Sequence, residues 1–371
     1  MKNVHVSSTH IHARDGKLAI DIEDVLRHLF FAENDLVLIG GSLMDGFGSS
    51  TSDLDIYVLS DVPKKLGDFP AHQHHRHVSK DGILISVTDY MASTGTIVDS
   101  QYRTKEQFEV LQESVRTAYH QATQRTKRLL NTMPEADHKI VYRFYSAVAV
   151  KGEAGFKALL QRGISRDQFC YLLFRNVAGH YPLFNDVAGA WRDGDWLEGC
   201  ERARLFVSKI AQGLTHMFGN ANAEIKWIFR ALDALPDLYR PLVTNYRHAI
   251  ARELGGVDEM KRVIVDCLNL SDEFFDASRQ LLNSTPHFMS VEESERVTQL
   301  EIASYKSWHR DLTREFVIRS RLFRPNLPPL VDFLPRAERE ELSHFLDRTD
   351  LQPTWSSCSG QLRSVAASKA D

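Results

Sequence analysis

The sequence predicts an α+β protein, with a small mixed-sheet domain at its amino end and a larger all-α domain after it. Over the first hundred residues, short strand-like apolar runs alternate with turn residues, whereas helical periodicity dominates from about Thr104 onward. We therefore expect a mixed-sheet domain over residues 1–100 and a helical domain over residues 101–349. The small and polar residues of 350–371 predict a disordered tail.

The amino-terminal domain is predicted to contain one helix and a small sheet. Residues 21–32 carry apolar side chains at helical spacing, and residues 35–41, DLVLIGG, form an apolar run that ends in glycines, as buried strands often do. LDIYVLS, residues 54–60, predicts the next strand. Residues 74–90 predict a hairpin, because a central Asp-Gly pair favours a tight turn between two strand-like runs.

The carboxyl-terminal part is predicted to be helical, because apolar residues recur there at three- and four-residue spacing. A serine and a glutamate in capping-box register mark the start of the last long segment. We expect amphipathic helices over residues 104–132, 137–150, 200–218, 223–235, 260–282 and 290–323.

Composition and charge limit the class of protein. The chain has 371 residues and a formal net charge of −4, so no global field attracts a long polyanion. It has no uninterrupted apolar run of eighteen residues and no secretory signal pattern at its start, so we expect a cytoplasmic protein without a membrane partner. The cysteines fit reduced thiols because their spacing is unpaired. They are Cys170, Cys200, Cys267 and Cys358.

The segment between the first two predicted strands has the composition of a phosphate-binding turn. Gly40 and Gly41 allow the backbone to turn tightly and to approach a phosphate closely. Ser42 offers a hydroxyl, and we expect it at the amino end of a following helix, whose free N–H groups attract anions. The sequence therefore predicts a triphosphate site here.

Two aspartates follow this turn at a spacing that predicts a metal site. Asp53 and Asp55 lie at the start of the second strand, and the two-residue period places both on one face. Magnesium prefers such carboxylates together with substrate phosphates, and two ions could polarise the attacking oxygen and the leaving pyrophosphate. A simple turn and a solvated strand edge would explain either feature alone. Their combination at this spacing favours the metal site.

These residues resemble the signature of the nucleotidyltransferase superfamily, which includes DNA polymerase beta and the aminoglycoside nucleotidyltransferases. The resemblance covers about residues 20–95 and implies the fold of the first domain and a metal-dependent nucleotide transfer. It also implies that Gly41, Ser42 and Ser52 contact the nucleotide. The matching positions are Ile39, Gly41, Ser42, Asp53, Asp55 and the intervening GFGSSTSD.

The resemblance implies two further site residues. Members of the superfamily carry a third carboxylate on a neighbouring strand, and in the predicted strand GILISVTDYM the only acid is Asp89. We assign Asp89 to this role, with a missing third carboxylate as the alternative. Lys226 lies in a Lys-Trp pair of the kind found in helical domains attached to this fold, which implies a phosphate contact. An ordinary solvated lysine is the alternative.

The expected activity is the transfer of a nucleoside monophosphate, with AMP preferred, from a triphosphate to a hydroxyl group of a small molecule or protein. The expected cofactor is magnesium, with two ions, and pyrophosphate is released. Two alternatives stay open. One is an enzyme that joins nucleotides into a cyclic oligonucleotide or extends an RNA end. The other is a nucleotide-binding, antitoxin-like protein without catalytic activity.

Overall fold

The computed structural model has a mixed six-stranded sheet, a small three-stranded sheet and ten α-helices over the residues it describes, which confirms the predicted α+β class. The described residues are 5–7, 9–13, 18–49, 51–65, 75–91, 95–123, 134–282, 318, 321 and 328–334. The chain divides into two compact units. The first comprises residues 1–117, 133–166 and 221–223, and the second comprises residues 118–132, 167–220 and 224–371.

All strands of the described residues belong to the first unit. The three-stranded sheet consists of β1 (His5–Val6), β2 (His10–Ala13) and β3 (Leu18–Asp21). The six-stranded sheet consists of β4 (Leu36–Gly40), β5 (Leu54–Ser60), β6 (His75–Val78), β7 (Leu84–Met91), β8 (Thr96–Thr104) and β9 (Val148–Lys151). Its order is β6-β7-β8-β5-β4-β9, and only the β5–β8 pair is parallel.

The helices are shared between the two units. Those that begin in the first unit are α1 (Ile22–Arg27), α2 (Lys105–Thr123), α3 (Glu135–Ser146) and α4 (Glu153–Gln161). The helices of the second unit, apart from the first residue of α5, are α5 (Arg166–Arg175), α6 (Tyr181–Asp193), α7 (Trp196–Met217), α8 (Ile228–Asp233), α9 (Arg240–Ala251) and α10 (Val257–Leu282).

The central strands of the large sheet are buried on both faces, and each face has its own core. On one face, Tyr57 and Leu59 of β5 pack with Phe108 of α2, Phe144 of α3 and Phe156 of α4. We call this the helix-covered face. On the opposite face, residues of β4, β5 and β8 pack against α1 and the small sheet. Because side chains alternate along a strand, the odd-numbered residues of β5 point to the helix-covered face.

The boundary between the units differs from the one predicted at residue 100. Residues 137–150 were predicted to form one helix, but α3 ends at Ser146 and β9 pairs antiparallel with β4. β9 forms because the β-branched residues Val148 and Val150 meet the open hydrogen-bonding edge of β4. Residues 133–166 therefore belong to the sheet unit. The predicted tail, 350–371, and most of the predicted helix at 290–323 lie outside the described residues.

Candidate functional site

A row of residues crosses the large sheet at the amino end of β5 and brings two carboxylates side by side. Asp55 is paired with Gly40 of β4 on one side and with Asp99 of β8 on the other. Asp99 is in turn opposite Thr88 of β7. Directly paired residues project to the same face of a sheet, so Asp55 and Asp99 share the helix-covered face with Tyr57.

The other predicted carboxylate, Asp53, lies just before β5 and is exposed. Strand alternation places it on the same side of the chain as Asp55. Ser52 fixes the turn ahead of it, because its Oγ accepts a hydrogen bond from the Ser49 backbone N–H at 2.7 Å. That Asp53 and Asp55 act together stays a prediction, and Ser52 serves in the described contacts as a turn residue.

Gly41 is in contact with the carboxylate of Asp55, and only glycine fits there. Its φ of +81° lies in the left-handed region. A Cβ atom at this position would lie 1.9 Å from Asp55 Oδ2, well inside van der Waals contact. The Gly41 backbone N–H also donates a hydrogen bond to Ser146 Oγ of α3 at 3.2 Å. The turn after β4 thus lies directly against the carboxylates.

The segment after Gly41 forms turns, so the expectation of a helix that starts at Ser42 is wrong. The carbonyl of half-buried Ser42 accepts hydrogen bonds from the N–H groups of Phe47 and Gly48, at 2.9 and 2.8 Å. Gly46 has a φ of +82°, which interrupts any helical path. Ser42 still lies next to Gly41, but the N–H groups available to an anion are those of a turn.

Arg143 of α3 contacts the carboxylate of Asp55, although nothing in the sequence marked it as a site residue. Its Nη2 lies 3.1 Å from Asp55 Oδ1, and its Nη1 donates a hydrogen bond to the Tyr57 hydroxyl at 2.9 Å. Burial raises the pKa of Tyr57 to about 12, so the phenol stays neutral at physiological pH. The guanidinium is therefore held between a neutral hydroxyl and one carboxylate of the site.

The carboxylates influence each other electrostatically. Burial raises the pKa of Asp99 above its usual range, and the negative charge of Asp53 adds to the rise. Arg143 opposes this rise, as does a hydrogen bond from Gln101. Asp99 is thus a carboxyl group whose ionised form would gain from a further cation.

The strand register contradicts the expectation that Asp89 completes the site. Asp89 pairs with Val98, not with Asp99, and Val98 belongs to the core of the opposite face. A one-residue difference along a strand reverses the direction of the side chain. Asp89 is instead hydrogen-bonded to His28, whose Nδ1 lies 2.9 Å from its Oδ2. Its side chain therefore projects away from Asp55.

Lys226 lies in the second unit, in a short 3-10 helix that ends at Trp227. Its side chain is exposed, pairs with Glu224 at 2.8 Å and lies 5.5 Å from the centre of the Trp227 ring. Arg230, in α8, lies 5.1 Å from the same ring. The structure thus gives Lys226 local partners, and its contact with a phosphate remains a prediction.

Asp53, Asp55 and Asp99 offer carboxylate oxygens on one side of the sheet. Oxygen atoms of this kind are suitable ligands for a hard cation such as magnesium. Within the described part of the chain, however, no three His, Cys, Asp or Glu side chains are gathered closely enough to hold a metal ion as they stand. Arg143 contacts one carboxylate oxygen of Asp55, Oδ1, so an ion bound by Asp55 would lie close to the guanidinium or compete with it.

Asp99 could have been found from the sequence, whereas Arg143 could not. Gly95 is followed by a β-branched run, Thr96-Ile97-Val98, which is a strand signal that immediately precedes Asp99. Arg143 lies 88 residues from Asp55 on a helix, and nothing in its local sequence distinguishes it from other helical arginines.

No protein-family model matches this chain, and no curated protein sequence matches it. Among solved structures, the chain is similar to a nucleotidyltransferase-like protein from Exiguobacterium sibiricum at 10% identity and a TM-score of 0.34, over 76% of this chain and 85% of that one. A likeness this weak supports no functional conclusion. None of the helices in the described residues is both long and apolar enough to cross a membrane.

Proposed function

We propose that the chain is a metal-dependent nucleotidyltransferase, which moves a nucleoside monophosphate from a triphosphate to a hydroxyl group and releases pyrophosphate. The observation that carries the proposal is the pairing of Asp55 with Asp99 across parallel strands, next to the turn at Gly41. Asp99 replaces Asp89 as the third carboxylate, and Asp53 is the first.

The turn after β4 would bind the triphosphate. Gly41 brings the backbone within contact of Asp55, so phosphate groups held at this turn lie beside the carboxylates. Ser42 follows directly and adds a hydroxyl donor. Since the turn is fixed to α3 through Ser146, its N–H groups are positioned before the nucleotide arrives.

Asp53, Asp55 and Asp99 would hold the metal. Magnesium, with two ions expected, supplies positive charge for the developing pyrophosphate and for the attacking oxygen. Asp99 has a second role in this proposal. It lies beside Asp55 on the same face of the sheet, where it could accept the proton of the acceptor hydroxyl.

The acceptor is a small molecule or a protein, and AMP is the preferred cargo in this proposal. The net charge of −4 argues against a long nucleic-acid acceptor. An enzyme that joins nucleotides or extends RNA would use the same carboxylates and would differ in its acceptor.

A second candidate function is supported by one contact. Arg143 is paired with Asp55, and within the described residues no three side chains lie close enough together to bind a metal ion. A protein that binds a nucleotide without turning it over would have such a site. This candidate predicts nucleotide binding without pyrophosphate release at any magnesium concentration.

The test is pyrophosphate release from each of the four ribonucleoside triphosphates, with and without magnesium. The wild type is compared with the Asp53→Asn, Asp55→Asn double variant. We expect magnesium-dependent release that falls by about 1000-fold or more in the double variant, because the metal ligands are lost. Binding of the same nucleotides, measured by calorimetry, separates the two candidates when a hydroxyl acceptor such as glycerol is also supplied, since tight binding without any release then favours the non-catalytic protein.

A further inference from the structure

We propose that Arg143 is a positioning residue that keeps the metal affinity of this site low until the nucleotide arrives. The proposal rests on the proposed function, because it assigns Asp55 to the metal. It makes the metal–triphosphate complex, rather than the free triphosphate, the form in which the substrate binds.

The guanidinium of Arg143 is fixed at both of its ends. It donates a hydrogen bond to Tyr57 at 2.9 Å and lies 3.1 Å from Asp55. Its backbone packs closely against β4, since a Cβ at Gly40 would lie only 2.6 Å from the Arg143 carbonyl oxygen. That oxygen also accepts a hydrogen bond from Ser146 Oγ at 2.9 Å. Arg143 is therefore built into the site.

The charges around Arg143 explain why it would weaken metal binding. Asp53, Asp55 and Asp99 together carry up to three negative charges, and Arg143 interacts with both Asp55 and Asp99. A divalent ion that approaches Asp55 must displace the guanidinium or bear its repulsion at short range. Without Arg143, the same carboxylates would attract the ion with their full charge.

A triphosphate would remove this obstacle. When Asp55 turns to the metal, the released guanidinium needs an anionic partner, and the phosphates next to Gly41 supply one. Metal and nucleotide then favour each other, and by linkage each tightens the binding of the other by the same factor. Tyr57 keeps the guanidinium in place during this exchange, because its hydroxyl contact does not involve the carboxylates.

The test is titration with Mn²⁺ followed by electron paramagnetic resonance, which reports metal binding without any turnover. We expect Arg143→Met to bind Mn²⁺ about tenfold or more tightly than the wild type in the absence of nucleotide, because a short-range repulsion is gone. An ATP analogue with a methylene bridge between the α- and β-phosphates should tighten Mn²⁺ binding in the wild type by about tenfold or more. The tightening should be clearly smaller in Arg143→Met, where only the coordination of the ion by the phosphates remains.

Two further variants control for charge and folding. Arg162→Met removes an arginine of the same unit whose partner is Glu109, away from the carboxylates, and it should bind Mn²⁺ like the wild type. Arg143→Gln removes the charge but keeps a donor for Tyr57, and it carries the test if the methionine variant does not fold. Thermal melting of each variant establishes that it is folded.

The outcomes separate this inference from the proposed function. If the wild type binds Mn²⁺ with nucleotide but the Arg143 variants bind it no more tightly without nucleotide than the wild type does, the role of Arg143 is overturned and the metal site survives. If the wild type binds no Mn²⁺ even with nucleotide, or the Asp53→Asn, Asp55→Asn variant binds it equally well, both proposals are overturned.

Discussion

Two of the arginine–aspartate ion pairs in the described residues, one from each unit, have different surroundings. In the second unit, Arg321 lies 2.6 Å from Asp272 and also donates a hydrogen bond to the carbonyl of Pro328. The other oxygen of Asp272 accepts the Leu330 N–H at 2.8 Å, so the pair joins α10 to residues 328–334. In the first unit, Arg143 faces Asp55 together with Asp53 and Asp99.

The difference shows how one type of contact serves structure in one place and chemistry in another. Arg321 is 5% exposed, and its guanidinium contacts both a carboxylate and a backbone carbonyl, so the cation is closed off from solvent. The Arg143 site has more carboxylates than cations, and the side chains of Arg143 and Asp55 remain 24% and 13% exposed. A site with surplus negative charge and access to solvent can take up a cation.

The largest effect should follow from removing the buried arginine. Arg321→Met leaves Asp272, whose side chain is 22% exposed, without its buried cation, and we expect a loss of about 3 kcal/mol in the free energy of unfolding of the second unit. Burial already raises the pKa of Asp272 to about 6, despite the arginine. The double variant Arg321→Met, Asp272→Leu should recover much of the loss in a denaturant titration. A loss below about 1 kcal/mol in the single variant would contradict the structural role.

A smaller loss is expected at Arg143, and metal should reverse it. Arg143→Met removes a partly exposed partner, so we expect about 1–2 kcal/mol of destabilisation without divalent metal. Added magnesium should restore most of this stability, because an ion that binds the native state stabilises it. The measurement is thermal melting with EDTA and with magnesium. If magnesium does not restore the stability of Arg143→Met, the Arg143–Asp55 pair has only a structural role, like the Arg321–Asp272 pair.

The glycines of the turn offer a matched comparison within the first unit. Gly41→Ala combines a left-handed backbone with a collision against Asp55, and we expect a loss of about 2–3 kcal/mol together with weaker nucleotide binding. Gly46 has nearly the same φ but no atom within 4 Å of an added Cβ. Gly46→Ala should therefore cost only about 1–2 kcal/mol and leave nucleotide binding unchanged. Equal losses in both variants, measured by melting and calorimetry, would contradict the close contact at Gly41.

The smallest effect concerns pH. Because the pKa of Asp99 is raised in the folded protein, its contribution to stability is present below the ordinary pKa of aspartate, about 3.9, and is lost as pH rises through the raised value. The side chain in Asp99→Asn does not ionise, so the variant does not lose this stability as the pH rises. Without metal at pH 7, we expect the variant to melt about 1–2 °C higher than the wild type, and the gap should close as pH approaches about 4. If the difference in melting temperature instead grew as the pH fell, the raised pKa of Asp99 would be contradicted.

Much of the first unit could be predicted from local sequence. The apolar run before Gly40 and the alternating run from Leu54 became β4 and β5, and the turn at Gly82 joined β6 and β7 as expected. β9 could not be predicted in the same way. Its run, Val148 to Val150, continues the helical spacing of α3, and its strand conformation depends on pairing with β4.

The candidate site was only partly predictable for the same reason. Asp53 and Asp55 are close in sequence, so strand period was enough to place them together. The choice between Asp89 and Asp99 depended on which strand lies beside β5, and local periodicity contains no information about strand order. Arg143 reaches Asp55 only because α3 packs on the helix-covered face.

The most direct test of the account compares these two aspartates in magnesium-dependent pyrophosphate release. Asp99→Asn should lower the rate by about 100-fold or more, because a metal ligand and proton acceptor is lost. Asp89→Asn, whose side chain lies on the opposite face with His28, should stay within about twofold of the wild type. A large loss in Asp89→Asn with little change in Asp99→Asn would contradict the strand register on which the proposed site depends.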